Sequence, residues 1–179
     1  MQLFYFDFFY IVKNRQKLFH EKFFVEHVCK YYQNKERKIM KERTFIILKP
    51  DCMEKNLLPE VMGRFLNAGL TLVACKMSAL SEDILAKHYA HIVDKPYYPP
   101  LVKFMTRRPV VMAILEGDNA VSRVRKLLGC TNSLEAPAGT IRGDFGLDTR
   151  ENIAHASDSP ENAQIEINRF FATDEIFDV

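Results

Sequence analysis

Apolar and polar residues follow two kinds of pattern from residue 44 onward. Short, continuous apolar runs are typical of buried strands, and they predict strands over 44–48, 70–77, 109–115 and, more briefly, 145–147. Segments with helical apolar spacing or helix-terminal signals predict helices over 57–67, 81–91, 118–128 and 159–171. A further short helix is predicted to end at 105, and 130–144 is predicted to be a loop.

The order of these elements predicts the fold. The main ones run strand, helix, strand, strand, helix, strand. This order is typical of an α+β, ferredoxin-like (split βαβ) domain, whose four-stranded antiparallel sheet carries helices on one face. The run over 109–115 is apolar throughout, which favours a central strand.

Residues 1–40 differ from the rest of the chain. They contain half of the phenylalanines and no Gly or Pro, and carry eight Lys and Arg against four Asp and Glu. We interpret them as an N-terminal extension to a domain at 41–179. One hypothesis is an arm that binds a membrane surface or a partner. The other is that the natural chain starts at Met40 and that the extension is non-native or disordered.

Composition excludes several classes of protein. Residues 41–179 have a net charge of −2, from 17 Lys and Arg against 19 Asp and Glu, so no nucleic-acid partner is expected. The four cysteines form no CxxC pair, which argues against a zinc knuckle. We therefore expect reduced cysteines without disulfides, and a cytoplasmic location. No apolar run approaches the ~18 residues of a membrane span.

A phosphate-binding site is predicted from side chains, because the chain has neither a Walker A sequence nor GxGxxG. Lys49 ends the first strand, and Arg142 lies in a loop between glycines. Arg125, Thr131 and Asn152 complete the candidate set. Three cationic groups could balance the charge of a polyphosphate. The local patterns also allow a solvated Lys49 before a proline turn, an exposed basic helix face at Arg125 and a surface ion pair at Arg142.

The segment 152–159, NIAHASDS, holds the most reactive candidate. His155 lies between two alanines that leave its imidazole accessible, and Glu166 follows eleven residues later in a predicted helix. A neutral imidazole is a nucleophile and a metal ligand near pH 7. A surface or capping histidine is the simpler interpretation of this segment taken alone.

Several motifs in order resemble those of the nucleoside diphosphate kinases. The resemblance covers about Arg43 to Phe171. Its matching stretches are RTFIILKPD at 43–51, HY at 88–89, KPYY at 95–98, GCTN at 129–132, GTIRGDF at 139–145, the segment 152–159, and SPENA at 159–163. The resemblance implies a catalytic domain at 41–179 that transfers the terminal phosphoryl group of a nucleoside triphosphate, mainly ATP, to nucleoside diphosphates by a ping-pong mechanism.

The resemblance also implies the catalytic roles. His155 is the expected nucleophile, Glu166 orients its ring, and Ser157 hydrogen-bonds that carboxylate. Lys49, Tyr89 and Asn152 are expected around the transferred phosphoryl group and the ribose.

The nucleotide's outer parts are expected to meet a second set of residues. Arg125, Thr131 and Arg142 bind the outer phosphates together with Mg²⁺, which needs no protein ligand of its own. Tyr97 stacks on the base, with Thr149 on the other face. Tyr97 and Tyr98 could alternatively belong to the core. The implied assembly is a homotetramer or homohexamer built from dimers.

Some positions depart from the family pattern. Ala156 and Cys52 stand where the family usually has Gly, Ser133 where it has Pro, and Arg107-Arg108 where it has Ser-Gly. If the backbone at 156 required a positive φ, Ala would cost roughly 1 kcal/mol. These departures remove no expected catalytic group and bear on rate and oligomer stability. Two alternatives to the kinase stay open: a nucleotide-binding or regulatory module of the same fold with impaired catalysis, and a histidine-based phosphatase or nucleotide hydrolase. His88 and His91 are spaced to share a metal, but no third ligand is evident.

Overall fold

The computed structural model describes residues 41–179, and their strands form a four-stranded sheet in the order β2-β3-β1-β4 with antiparallel neighbours. The strands are β1 Glu42–Leu48, β2 Thr71–Ser78, β3 Val110–Gly117 and β4 Ala154–Ala156. The helices are α1 Pro50–Glu54, α2 Leu58–Asn67, α3 Glu82–His88, α4 Tyr98–Thr106, α5 Ala120–Leu128, α6 Ile141–Phe145 and α7 Pro160–Phe170. Short 3-10 turns occur at Ala90–Ile92, Ser133–Glu135 and Thr173–Glu175. Both hypotheses about 1–40 lie outside the described residues.

The α+β antiparallel prediction is confirmed, but the prediction that helices cover one face is wrong. Alternate residues of β1 enter two separate cores: Ile46 and Leu48 pack with α2 and α5, whereas Phe45 and Ile47 pack with α3, α4 and α7. A strand alternates its side chains between faces, so a continuously apolar strand needs cover on both sides. The helices therefore enclose the sheet.

The fourth strand is the other correction. Residues 141–145 form α6, and the Thr140 hydroxyl caps it by accepting the Gly143 N–H at 3.1 Å. The predicted strand at 145–147 is wrong, and part of the predicted 130–144 loop is helical. The sheet is completed by β4, which pairs with the end of β1 so that His155 lies opposite Ile47. Three residues are too few to show a strand period, so pairing with β1 decides this element.

Two predicted helix starts are confirmed in detail. The Ser81 hydroxyl accepts the Ile84 N–H at 3.3 Å, and the Ser159 hydroxyl accepts the Asn162 N–H at 3.1 Å. Pro160 occupies the first turn of α7. Within 41–179, no helix combines the length and apolar character that crossing a bilayer requires.

Candidate active site

The candidate nucleophile is held by an edge strand and an unusual turn. His155 occupies the middle of β4, and its ring lies 6.3 Å from that of Phe45 on β1. The preceding Ile153 has a φ of 73°, and its backbone N–H donates to Asp51 Oδ2 at 2.9 Å. Its carbonyl accepts the Lys49 N–H at 2.9 Å. These bonds tie the segment before His155 to the end of β1.

One ring nitrogen of His155 is committed to a carboxylate. Nε2 lies 3.0 Å from Glu166 Oε1, while Ser157 Oγ donates to Glu166 Oε2 at 2.5 Å. Burial acts to raise the pKa of Glu166, but the bonds from His155 and Ser157 outweigh it and bring the pKa below its ordinary value. Glu166 is therefore ionised at neutral pH. Among the described residues nothing hydrogen-bonds His155 Nδ1.

Lys49 and Asn152 form a second polar pair in the site. Lys49 is 6% exposed, and Nζ donates to Asn152 Oδ1 at 2.6 Å and to the Arg150 carbonyl at 3.3 Å. The Asn152 amide donates in turn to the carbonyls of Thr131 and Thr149. Burial lowers the pKa of Lys49 to about 8, with a further contribution from the charge of Arg142. The ammonium is thus cationic at pH 7 but titrates just above it.

Arg142 is more tightly engaged than a free phosphate ligand. Its guanidinium donates to the carbonyls of Gly129, Asn152 and Ala154 at 3.0, 3.3 and 2.8 Å. Burial lowers its pKa to about 10, and nearby Arg125 adds to this effect. Guanidinium has five N–H groups, so donors remain after these three bonds. Arg142 therefore both braces the loops around the site and keeps capacity for an anion.

A cavity of about 730 Å³ brings most of the predicted residues together. Its lining includes the predicted residues Lys49, Tyr89, Tyr97, Arg125, Thr131, Arg142, Thr149, Asn152, His155 and Glu166. Ser157 is the exception, because it is 1% exposed and lies behind the wall, where it contacts Glu166. Tyr97 is 54% exposed, so the core alternative is wrong for this residue, whereas Tyr98 packs against the core that contains Phe45 and Ile47. Burial raises the pKa of Tyr89 far above its ordinary value and keeps that phenol protonated.

The structure brings into the site residues to which the sequence analysis gave no role there. The ring of His88 packs against the ring of His155, and the two ring centroids are 4.6 Å apart. Nitrogen and oxygen atoms of His88, His155 and Glu166 lie within 4.8 Å of one another. Arg169 also lines the cavity, and its place three residues after Glu166 on one helix was a signal available in the sequence. Asp51 belongs to the matching stretch 43–51, but its local sequence did not indicate the bond to Ile153.

Three of the departures from the family pattern fit the fold. Ala156 pairs with Ile46 as part of β4 and is absent from the positive-φ positions of 41–179, so no penalty arises there. Cys52 lies on α1, is fully buried and belongs to the core. Arg107 bridges Glu54 at 2.6 Å and Glu151 at 3.0 Å, and so ties α1 to the loop before Asn152.

Comparisons with known proteins place the chain in a family. The model of the family described as nucleoside diphosphate kinase matches residues 42–176. The nucleoside diphosphate kinase of Methanocaldococcus jannaschii is 49% identical over 139 residues, which is 78% of this chain and 99% of that protein. The Coxiella burnetii enzyme of the same name is 48% identical over 136 residues, 76% of this chain and 98% of that protein.

Solved structures give the same result. The Aquifex aeolicus nucleoside diphosphate kinase has a TM-score of 0.74 and 42% identity, and the match covers 77% of this chain and all of that one. A halophilic nucleoside diphosphate kinase from Halobacterium salinarum, in complex with CDP, has a TM-score of 0.76 and 38% identity over 78% of this chain and 93% of that one. The family model, the relatives and the solved structures show that the chain belongs to the nucleoside diphosphate kinase family, enzymes that transfer phosphoryl groups between nucleotides.

Proposed function

We propose that His155 is the residue through which this enzyme passes the phosphoryl group. Nδ1 attacks the γ-phosphorus of a nucleoside triphosphate, mainly ATP; the new N–P bond forms as the bond to the β-phosphate oxygen breaks, and the diphosphate leaves. A second nucleoside diphosphate then takes the group in the reverse sense. The observation that carries the proposal is the 3.0 Å contact between His155 Nε2 and Glu166. This contact orients the imidazole ring and leaves the lone pair of Nδ1 available to attack phosphorus.

Glu166 and Ser157 support the charge that forms on the ring. A phosphorylated imidazole is cation-like, and the ionised Glu166 accepts the Nε2–H of that species. Ser157 donates to the other carboxylate oxygen at 2.5 Å, which holds the carboxylate in place. Positioning of this kind can contribute about 7–11 kcal/mol to a transfer reaction.

Cationic side chains stabilise the phosphates. Lys49 serves the transferred group, with Asn152 holding its ammonium at 2.6 Å. Arg125, Thr131 and Arg142 bind the outer phosphates. The partners are thus nucleoside tri- and diphosphates, whose negative charge these groups balance. Tyr89, whose phenol stays protonated, supplies a hydroxyl near the ribose.

The base is held by stacking. Tyr97 forms one side of the slot and Thr149 the other, and both line the cavity. A stacking slot contacts the faces of a base and does not read its edges. This supports acceptance of many bases.

Mg²⁺ fits the residues present. The ion prefers a carboxylate or two together with substrate phosphates, and it retains several waters. Of two carboxylates that line the cavity, Glu166 is engaged by His155 and Ser157, whereas Asp158 accepts from Asn162 through Oδ1 at 2.7 Å. Asp158 would therefore hold the ion through its waters. When bound, Mg²⁺ would neutralise part of the negative charge of the nucleotide phosphates.

The enzyme is proposed to be cytoplasmic and to assemble as a homotetramer or homohexamer of dimers. Among residues 41–179, Cys52, Cys75 and Cys130 form no disulfide with one another, as in reducing compartments. Leu134 and Leu147 are 80% and 60% exposed, which suits burial against other copies. Sedimentation at micromolar concentration tests the assembly, and a monomer would contradict it.

A phosphoenzyme trap tests the mechanism. The protein is incubated with γ-labelled ATP and Mg²⁺ without acceptor, and we expect a label that is labile in acid, stable in base and released by any nucleoside diphosphate. His155→Ala should abolish the label, whereas the cavity-lining His91→Ala should retain it. Label on the His155→Ala protein would refute the role of His155. Bound nucleotide without label would indicate the impaired binding module, and phosphate release without acceptor would indicate a hydrolase.

A further inference from the structure

A second histidine lies directly against the proposed nucleophile. The side chain of His88, at the end of α3, is 1% exposed, and its ring meets that of His155 edge to face at an interplanar angle of 79°. Its Nδ1 is 3.7 Å from Glu166 Oε1, the same oxygen that contacts His155. His88 can therefore compete with His155 for that oxygen.

Arg169 contacts the same nitrogen of His88. Its Nη1 lies 3.2 Å from Nδ1, and because guanidinium only donates hydrogen bonds, Nδ1 must present a lone pair. A neutral His88 then carries its proton on Nε2. Within 41–179 that buried Nε2 has no hydrogen-bond partner, so the groups at Nδ1 decide the tautomer.

His88 is uncharged at neutral pH, so its single ring proton lies on either Nδ1 or Nε2. The groups that face it are His155 on β4, Glu166 and Arg169 on α7, and His91 in the adjoining turn. Burial lowers the pKa of His88 to about 3, with further lowering by His155 and Arg169 that exceeds the raising effect of Glu166. At neutral pH the imidazole therefore carries one proton.

We propose that Arg169 is a positioning residue that holds His88 as its Nε2–H tautomer and thereby reserves Glu166 for His155. Without a donor at Nδ1, His88 can place its proton there and donate to Glu166 Oε1. The carboxylate would then divide its charge between two rings and hold His155 less firmly. This inference rests on the proposed role of His155 as the phosphoryl acceptor.

The tautomer can be measured without catalysis. In full-length protein labelled with ¹⁵N-histidine, the two ring nitrogens of His88 are assigned by NMR in the wild type, Arg169→Met and Arg169→Lys. Methionine has a similar length but no donor, whereas lysine retains one. We expect Nε2–H in the wild type and in Arg169→Lys, and a substantial Nδ1–H population in Arg169→Met. An unchanged tautomer in Arg169→Met would overturn the proposal.

Kinetics test the consequence for His155. Arg169→Met should lower kcat about tenfold, the loss that matches weakening of one charge-assisted hydrogen bond, with KM for the nucleotides nearly unchanged. Arg169→Lys should restore most of kcat. Gln164→Met, on the exposed surface of the same helix, is the matched control and should behave as the wild type.

A double substitution separates this role from a simple effect of charge. Phenylalanine at position 88 cannot donate to Glu166, so in a His88→Phe background Arg169→Met should have little further effect on kcat. An equal loss in both backgrounds would show that Arg169 acts independently of His88 and would overturn the proposal. If His88→Phe does not fold, the NMR and Arg169→Lys comparisons still decide it. Failure of the proposed function would instead appear as a wild type without phosphohistidine.

Discussion

Replacing Asp51 by alanine should loosen the turn that carries His155. Asp51 is 1% exposed, and its Oδ2 accepts the backbone N–H of Ile153 at 2.9 Å. Ile153 is β-branched and has a φ of 73°, a conformation that costs roughly 1–3 kcal/mol. The bond from Asp51 holds the backbone against this strain. The same turn places Asn152 on one side and His155 on the other.

The magnitude follows from the type of bond that is lost. A hydrogen bond to a charged group contributes about 1.5–3 kcal/mol, so we expect Asp51→Ala to lower the free energy of unfolding by that amount. Asp51→Asn keeps an oxygen acceptor and should change it by less than about 1 kcal/mol. Two effects offset each other in Asp51→Asn, because the neutral bond is weaker but the buried charge is removed.

The pKa of Asp51 supplies an independent check. Burial raises this pKa above its ordinary value, so the folded state binds the proton more tightly than the unfolded state does. The group's contribution to stability is then present below the ordinary value of about 3.9 and is lost as pH rises through the folded-state pKa. Asp51→Asn should lack this loss.

Urea unfolding and steady-state kinetics, at one fixed protein concentration, measure both effects. We expect kcat of Asp51→Ala to fall about tenfold, as for a misplaced reacting group, with Asp51→Asn near the wild type. The reasoning would be refuted if Asp51→Ala had an unchanged kcat and a free energy of unfolding within about 0.5 kcal/mol of the wild-type value. Equal destabilisation by both variants would show that the acceptor oxygen is not what matters.

Other substitutions and conditions test separate parts of the structure. Since burial lowers the pKa of Lys49 to about 8 and only the ammonium attracts phosphate, kcat/KM should be about tenfold lower at pH 9 than at pH 7; a flat profile would contradict this. Tyr97→Leu should raise KM at least about fivefold with kcat maintained, whereas Tyr97→Phe should not, because stacking contributes about 1–3 kcal/mol. Gly143→Ala would place a Cβ against the Pro137 carbonyl and should lower stability by about 1–3 kcal/mol, whereas Gly63→Ala, in open space on a helix, should raise it by about 0.5–1 kcal/mol. Thermal unfolding compares the two glycine variants, and equal shifts would contradict the steric argument.

Local patterns in the chain were sufficient for most of the architecture. The apolar runs marked β1, β2 and β3, and serines at 81 and 159 marked two helix starts, because these signals act between near neighbours. Ordered motifs also identified the family and selected residues that share one cavity. Lys49 at the end of a strand and His155 between alanines were both recognisable without coordinates.

Tertiary structure decided what depends on contacts between distant segments. β4 exists because 154–156 pairs with β1, a partner more than a hundred residues away, and three residues carry no period of their own. Cover on both faces of the sheet likewise depends on how the helices return to it. Asp51 acquires its role by accepting the Ile153 N–H, and Arg169 acquires its role by contacting Nδ1 of His88. The type of a residue does not reveal which buried group it will contact. Residue chemistry and short-range patterns were therefore readable from the sequence, whereas long-range pairing and burial required the fold.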